Sequence, residues 1–167
     1  MNRDFIDYFR KIRKILSAKK GRNEILKSIC VLLQNEVEHY NWVGFYFLDK
    51  ARNELVLGPY AGAATDHTNI QIGRGICGQV AETKQTRIIQ DVSKEDNYLS
   101  CSINVKSEIV IPIMKDGEFI AELDIDSHFH SPFSDDDREF LEKVGSCVAE
   151  LFIQTELYEI LISAQRD

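Results

Sequence analysis

Apolar residues recur with a helical period at the start of the chain. Phe5, Phe9, Ile12 and Leu16 fall on one stripe, which predicts a helix over residues 5–16. Lys19, Lys20 and Gly21 interrupt it. A second helix over residues 23–37 carries Ile25, Ile29 and Leu32 on one stripe, with Leu26, Cys30 and Leu33 beside it. The period then changes. Residues 40–48, YNWVGFYFL, are aromatic and branched and predict a strand, followed by a loop at 49–53 and a second strand over 54–60. Residues 61–68 are small and polar, a loop. A short strand over 69–72 precedes the hinge Gly73-Arg74-Gly75, which opens a short helix over 76–83, and a strand follows over 86–89. Residues 90–107 are polar and aperiodic, a long connection of the kind that in compact domains is usually functional or disordered. Strands over 108–114 and 118–126 flank a tight turn. Ser134 with Asp137 three residues on, inside an acidic run, starts the last helix at about residue 135, and it runs into the 150s or beyond.

Hairpins dominate the strands, so the expected class is α+β: a mostly antiparallel sheet with the terminal helices on one face. Alternation assigns the faces. Val43, Phe45 and Phe47, then Ile109, Ile111 and Ile113, then Phe119, Ala121, Leu123 and Ile125 form an apolar face that should meet the helices. The opposite face mixes Trp42, Tyr46, Glu108, Glu122, Asp124 and Asp126. Large aromatics gain little on a wet face, and residues 61–107 have to fold somewhere. Laid over this face, they make a loop-covered pocket whose Trp42, Tyr46, Glu108, Asp124 and Asp126 suit a small cationic or zwitterionic ligand.

Composition narrows the class. The 167 residues are expected to form a single domain over 1–167. A net charge of −7 and a pI near 5.1 argue against nucleic acid as a partner. No apolar run approaches the roughly 20 residues of a membrane span, and the start, MNRDFIDYFRKIRK, has no apolar leader region. A cytoplasmic protein with no membrane partner is expected. Cys30, Cys77, Cys101 and Cys147 show no CxxC spacing, and His39, His67, His128 and His130 form no recognisable ligand set, so neither metal nor cofactor is expected. Cys30 and Cys147 read as helix-core residues.

Several segments resemble the free methionine-(R)-sulfoxide reductases, which are small stand-alone GAF domains. They are NWVGFYFL, LGPYAG, IGRGICGQVA, SEIVIPI, GEFIAELDIDS and FSDDD, in that order over residues 40–150. The resemblance implies a GAF-like fold, a catalytic cysteine at Cys101 in YLSCSINVKSEIV, and a second functional cysteine at Cys77 in GRGICG. It further implies ligand binding by Trp42, Tyr46, Glu108, Asp124 and Asp126. It implies free methionine sulfoxide as substrate, an external dithiol such as a thioredoxin-like protein as reductant, and, with the long last helix, a homodimer. The chain departs from the family pattern in two places. Upstream of Cys77 it reads AATDHTNIQ, with Asp66 or His67 where the family carries a resolving cysteine, and the Cys101 loop reads CSINV.

The chemistry needs a thiolate to attack sulfur and an acid to protonate the departing oxygen, with a sulfenic acid left on the cysteine. A carboxyl group crowded among like charges can supply that acid. Arg74 is a candidate for a substrate carboxylate. The alternative is a non-catalytic GAF domain that binds a small metabolite in a sensor or signalling role.

Overall fold

The computed structural model describes residues 1, 3–99 and 104–163, with side chains described to residue 152. Cys101 therefore lies outside the described residues.

Among the described residues, four helices and six strands follow the expected order: α1 (Arg3–Leu16), α2 (Arg22–Glu36), β1 (Trp42–Asp49), β2 (Glu54–Ala61), β3 (Asn69–Gln71), α3 (Gly75–Thr83), β4 (Arg87–Ile89), β5 (Ser107–Lys115), β6 (Glu118–Ser127) and α4 (Asp135–Ser163). A 3-10 turn at Val92–Lys94 interrupts the long connection that the pattern left without structure. The strands form one antiparallel sheet in the order β3-β2-β1-β6-β5-β4. Among the described residues, no helix is long and apolar enough to cross a membrane.

α1, α2 and α4 cover one face of the sheet, and α3 packs on β5 and β6 from the other. The larger core therefore joins Ile12, Leu26, Ile29 and Val144 to Val43, Phe45, Ile111 and Leu123, on the face that alternation assigns to the helices. A second, smaller core joins Trp42, Tyr46, Val110, Ile76, Cys77, Val80 and Val105 on the opposite face. That face is thus not solvated; α3 and the connections around it form a lid.

Phe119 corrects the face assignment. It belongs to the lid-side core, while its neighbour Ile120 packs toward the helices. The reason is a bulge: Ile113 pairs with Ala121 but Met114 pairs with Phe119, so Ile120 is the extra residue and the alternation flips there. The β5–β6 hairpin closes on Asp116-Gly117, both at positive φ (50° and 80°), the two-residue geometry that matches strand twist. Cys147 is a second correction. It is half-buried and lines a groove of about 480 Å³ with Phe9, Arg13, Leu16 and Leu151, rather than lying in the core. Cys30 is fully buried in the larger core, as its stripe implied.

Candidate functional site

β6 sits near the middle of the sheet and sends Glu122, Asp124 and Asp126 to the lid side, because residues two apart share a face. Register places a neighbour beside each one. Asp126 lies between Trp42 on β1 and Glu108 on β5, Asp124 between Gly44 and Val110, and Glu122 between Tyr46 and Pro112. Trp42, Tyr46, Glu108, Asp124 and Asp126, which the alternation of the strands singles out, thus occupy one face and are all buried. Glu122 belongs with them at 0% exposure. Alternation puts it on this face, but only the packing of α3 shows that it joins the site.

Gly44 makes room for the indole. A Cβ there would lie 2.2 Å from Trp42 Cη2, so the ring can lie flat across the strand only over a glycine. Trp42 stacks on Tyr60 with ring centroids 5.4 Å apart. Its Nε1 donates to Ala63 O at 3.1 Å, and Tyr46 OH donates to His67 O at 2.8 Å. The two aromatics therefore hold the loop after β2 across the site. The second connection is tied to the same place: Asn97 Nδ2 donates to Gly73 O at 2.9 Å, at the hinge that opens α3.

α3 brings Cys77 down onto the carboxylates. Its Sγ donates to Glu108 Oε1 at 3.7 Å. A cysteine in the first turn of a helix would ordinarily be favoured as thiolate. Here burial, followed by the charges of Asp124, Glu122 and Glu108, pushes the thiol well up instead. Cys77 is held as a neutral thiol.

The acids respond in the same sense. Burial pushes Glu108 well above the usual carboxylate range, reinforced by Asp124, Asp126 and Glu122. Burial raises Glu122 and, with help from Asp124, raises Asp126. Asp124 is pushed up to about 7 by burial, although the Cys77 thiol and the Ile125 amide oppose the shift. Both oxygens of Glu122, Asp124 Oδ1 and Asp126 Oδ1 lack a hydrogen-bond partner among the described residues. An unmatched buried polar atom costs about 1–3 kcal/mol, so this face is incomplete without a cationic or hydrogen-donating guest.

A cavity of about 10 Å³ opens between Arg74, Gly75, Ile76, Cys77, Leu99 and Glu108. That is room for at most one water. Leu99 and Val105, on either side of the segment that carries Cys101, both border the lid-side core. Arg74 reaches the rim of the cavity, at the start of α3.

Known proteins share this architecture. The GAF domain model matches residues 21–150. A free methionine-R-sulfoxide reductase of Saccharomyces cerevisiae is 41% identical over 110 residues, 65% of this chain and 61% of the yeast protein. This chain therefore spans less than two thirds of that relative. The solved free methionine-R-sulfoxide reductase of Neisseria meningitidis, in complex with its substrate, superposes with a TM-score of 0.88 at 28% identity, over 95% of each chain. The reduced form of the Staphylococcus aureus fRMsr superposes with a TM-score of 0.81 at 34% identity, over 87% of this chain and 93% of that one. Antiparallel sheet, lid-side site and relatives agree: the chain belongs to the GAF domain family, on the branch of the free methionine-R-sulfoxide reductases.

Proposed function

We propose that this chain reduces free methionine-(R)-sulfoxide to methionine at the expense of a thiol. The observation that carries the reading is the row of buried acids with unpartnered oxygens beside Trp42. Such a row calls for a compact cation that also donates hydrogen bonds, and the ammonium of a free amino acid is one. A methionine sulfoxide inside a peptide has no ammonium to offer. The names of the yeast and Staphylococcus relatives support the same substrate.

In this reading Glu108, Asp124 and Asp126 take the ammonium, and Trp42 and Tyr46 wall the methylsulfinyl end. Arg74 takes the substrate carboxylate at the start of α3, where backbone amides also favour an anion. The closed cavity requires the lid to open for binding, through the connections on either side of α3. Cys101 is the nucleophile. Its thiolate attacks the sulfoxide sulfur while a buried carboxyl group delivers a proton to the oxygen. The methionine sulfur gains two electrons, the oxygen passes to the cysteine as a sulfenic acid, and the thioether leaves. Glu122, which burial raises well above the usual carboxylate range and which the ammonium does not engage, still holds that proton near neutral pH.

A thiol then condenses with the sulfenic acid to a disulfide and water, and a second thiol releases Cys101. Cys77 is the candidate internal partner, but as a buried neutral thiol it attacks slowly until the lid opens. An external dithiol, such as a thioredoxin-like protein, completes the cycle. The reading includes a reducing compartment such as the cytoplasm, where unpaired cysteines persist, and a homodimer through α1 and α4.

The test is to incubate the protein with each epimer of free methionine sulfoxide and a dithiol and to measure methionine. Methionine should form from the R epimer and not the S, and Cys101→Ser should form none. If wild type forms no methionine while still binding the amino acid, the reductase reading gives way to a non-catalytic binding domain.

A further inference from the structure

The sheet register assembles a donor set that no sequence motif announces. Cys77 on α3, Glu108 on β5 and Asp124 on β6 each contribute one atom to a buried group in which all three atoms lie within 4.8 Å of one another. The Cys77 Sγ to Glu108 Oε1 distance is 3.7 Å. In a tetrahedral zinc site, with bonds of about 2.3 Å to sulfur and about 2.0 Å to oxygen, two such donors stand about 3.5 Å apart. This pair is therefore already near chelating separation. One sulfur with several carboxylate oxygens is a mixed soft and hard set, which suits zinc or cobalt(II) and not magnesium or calcium.

A second observation points into the same space. Asp124 is 1% exposed, and its Oδ1 has no hydrogen-bond partner among the described residues. The set offers three protein ligands and leaves a fourth position to water.

We propose that Cys77, Glu108 and Asp124 form a site for a zinc-type divalent cation that competes with the amino-acid ligand for the pocket. The ion displaces the thiol proton and supplies the positive charge that the carboxylates lack. An ammonium group supplies the same charge, so the two guests exclude each other. The ion site stands on the donor geometry alone, whereas its inhibitory consequence rests on the reductase reading.

Cobalt(II) titrated into the full-length Cys101→Ser protein, with a phosphine as reductant, tests the proposal. One equivalent should bind with a thiolate-to-cobalt charge-transfer band, which zinc should abolish by displacement. Replacing Cys77 with Ser in that background should remove the band, and Asp124→Asn should weaken cobalt affinity at least tenfold. Free methionine-(R)-sulfoxide should bleach the band in proportion to its occupancy. Zinc should also raise the melting temperature of the Cys101→Ser protein, a rise lost when Cys77 is replaced, which guards against variants that merely fold poorly. Absence of the band, or a band unchanged after Cys77 replacement, overturns the proposal. A band in Cys101→Ser together with no reductase activity in wild type keeps the ion site and removes the reductase reading; wild-type activity with no band does the reverse.

Discussion

Buried acids occur on both faces of this sheet, and the two groups are treated in opposite ways. On the helix face Asp137, 2% exposed, is fully engaged. It accepts from the Ser134 amide at 2.8 Å and from Tyr40 OH at 2.9 Å, and it meets His39 Nε2 at 2.8 Å. Burial alone would raise its carboxyl, but the bonds from His39, Ser134 and Tyr40 prevail and hold it below the usual range. On the lid face Glu108, Glu122, Asp124 and Asp126 are just as buried, yet their carboxyls are raised and several oxygens are unpartnered. An acid that serves the fold is satisfied by the fold. Acids left incomplete at the centre of a sheet, under a lid, are kept for something that arrives from outside.

Removing each kind of acid should therefore have opposite consequences. The largest effect is expected from Asp137→Ala. It orphans the buried Tyr40 hydroxyl and removes the N-terminal capping partner of Ser134, so urea unfolding should show a loss of about 3 kcal/mol or more. A loss below about 1 kcal/mol would end the contrast from the structural side.

The pH dependence should also carry opposite signs. An unfolded Asp ionises near pH 4. Asp137 is held below that value, so its contribution is present above about pH 4 and is lost as pH falls through its folded pKa. Asp124 keeps its proton to about 7 in the fold. The unliganded protein therefore loses stability from this group as pH rises from about 4 to 7, because only the unfolded chain releases the proton. Relative to wild type, Asp124→Asn should gain about 2 kcal/mol between pH 5 and pH 7. Parallel stability curves for the two proteins would show that Asp124 is not a raised acid.

Function should move the other way. Asp124→Asn should weaken binding of free methionine sulfoxide by at least about tenfold, or roughly 1.4 kcal/mol, while leaving the unliganded protein at least as stable as wild type at neutral pH. Calorimetry together with thermal unfolding checks both halves. Trp42→Phe should have the smallest effect. It keeps most of the ring but loses the bond to Ala63 O, which is worth about 1 kcal/mol of loop anchoring. Faster amide exchange in residues 62–68, with the helix-face core unchanged, is the expected sign.

Most of the fold could be read from residue order, because period and turn chemistry are local. The strands and helices fall within a residue or two of the expected limits, and the reciprocal Ser134–Asp137 cap forms as its spacing predicts. Alternation separated Val43, Phe45, Ile111 and Leu123 from Trp42, Tyr46, Glu108, Asp124 and Asp126. It failed at Phe119, since a bulge is set by cross-strand fit and not by the strand's own pattern. The membership of Glu122 and the thiol–carboxylate cluster were hidden for a related reason. They depend on where α3 lands on the sheet, and residues 77, 108 and 124 share no spacing that would betray it. The bond of His39 and Tyr40 to Asp137 was equally out of reach, being 98 and 97 residues apart in the chain.

The most direct measurement compares two ligands on one protein. Cys101→Ser, which should bind without turning over, is titrated calorimetrically with free methionine-(R)-sulfoxide and with its N-acetyl derivative, which differs in lacking the ammonium. If the unpartnered acids exist to receive that cation, the free amino acid should bind and acetylation should cost about a hundredfold in affinity, the loss of one to two charged hydrogen bonds. Equal affinity for the two ligands would contradict the claim that the carboxylate row is a receptor for a free amino acid.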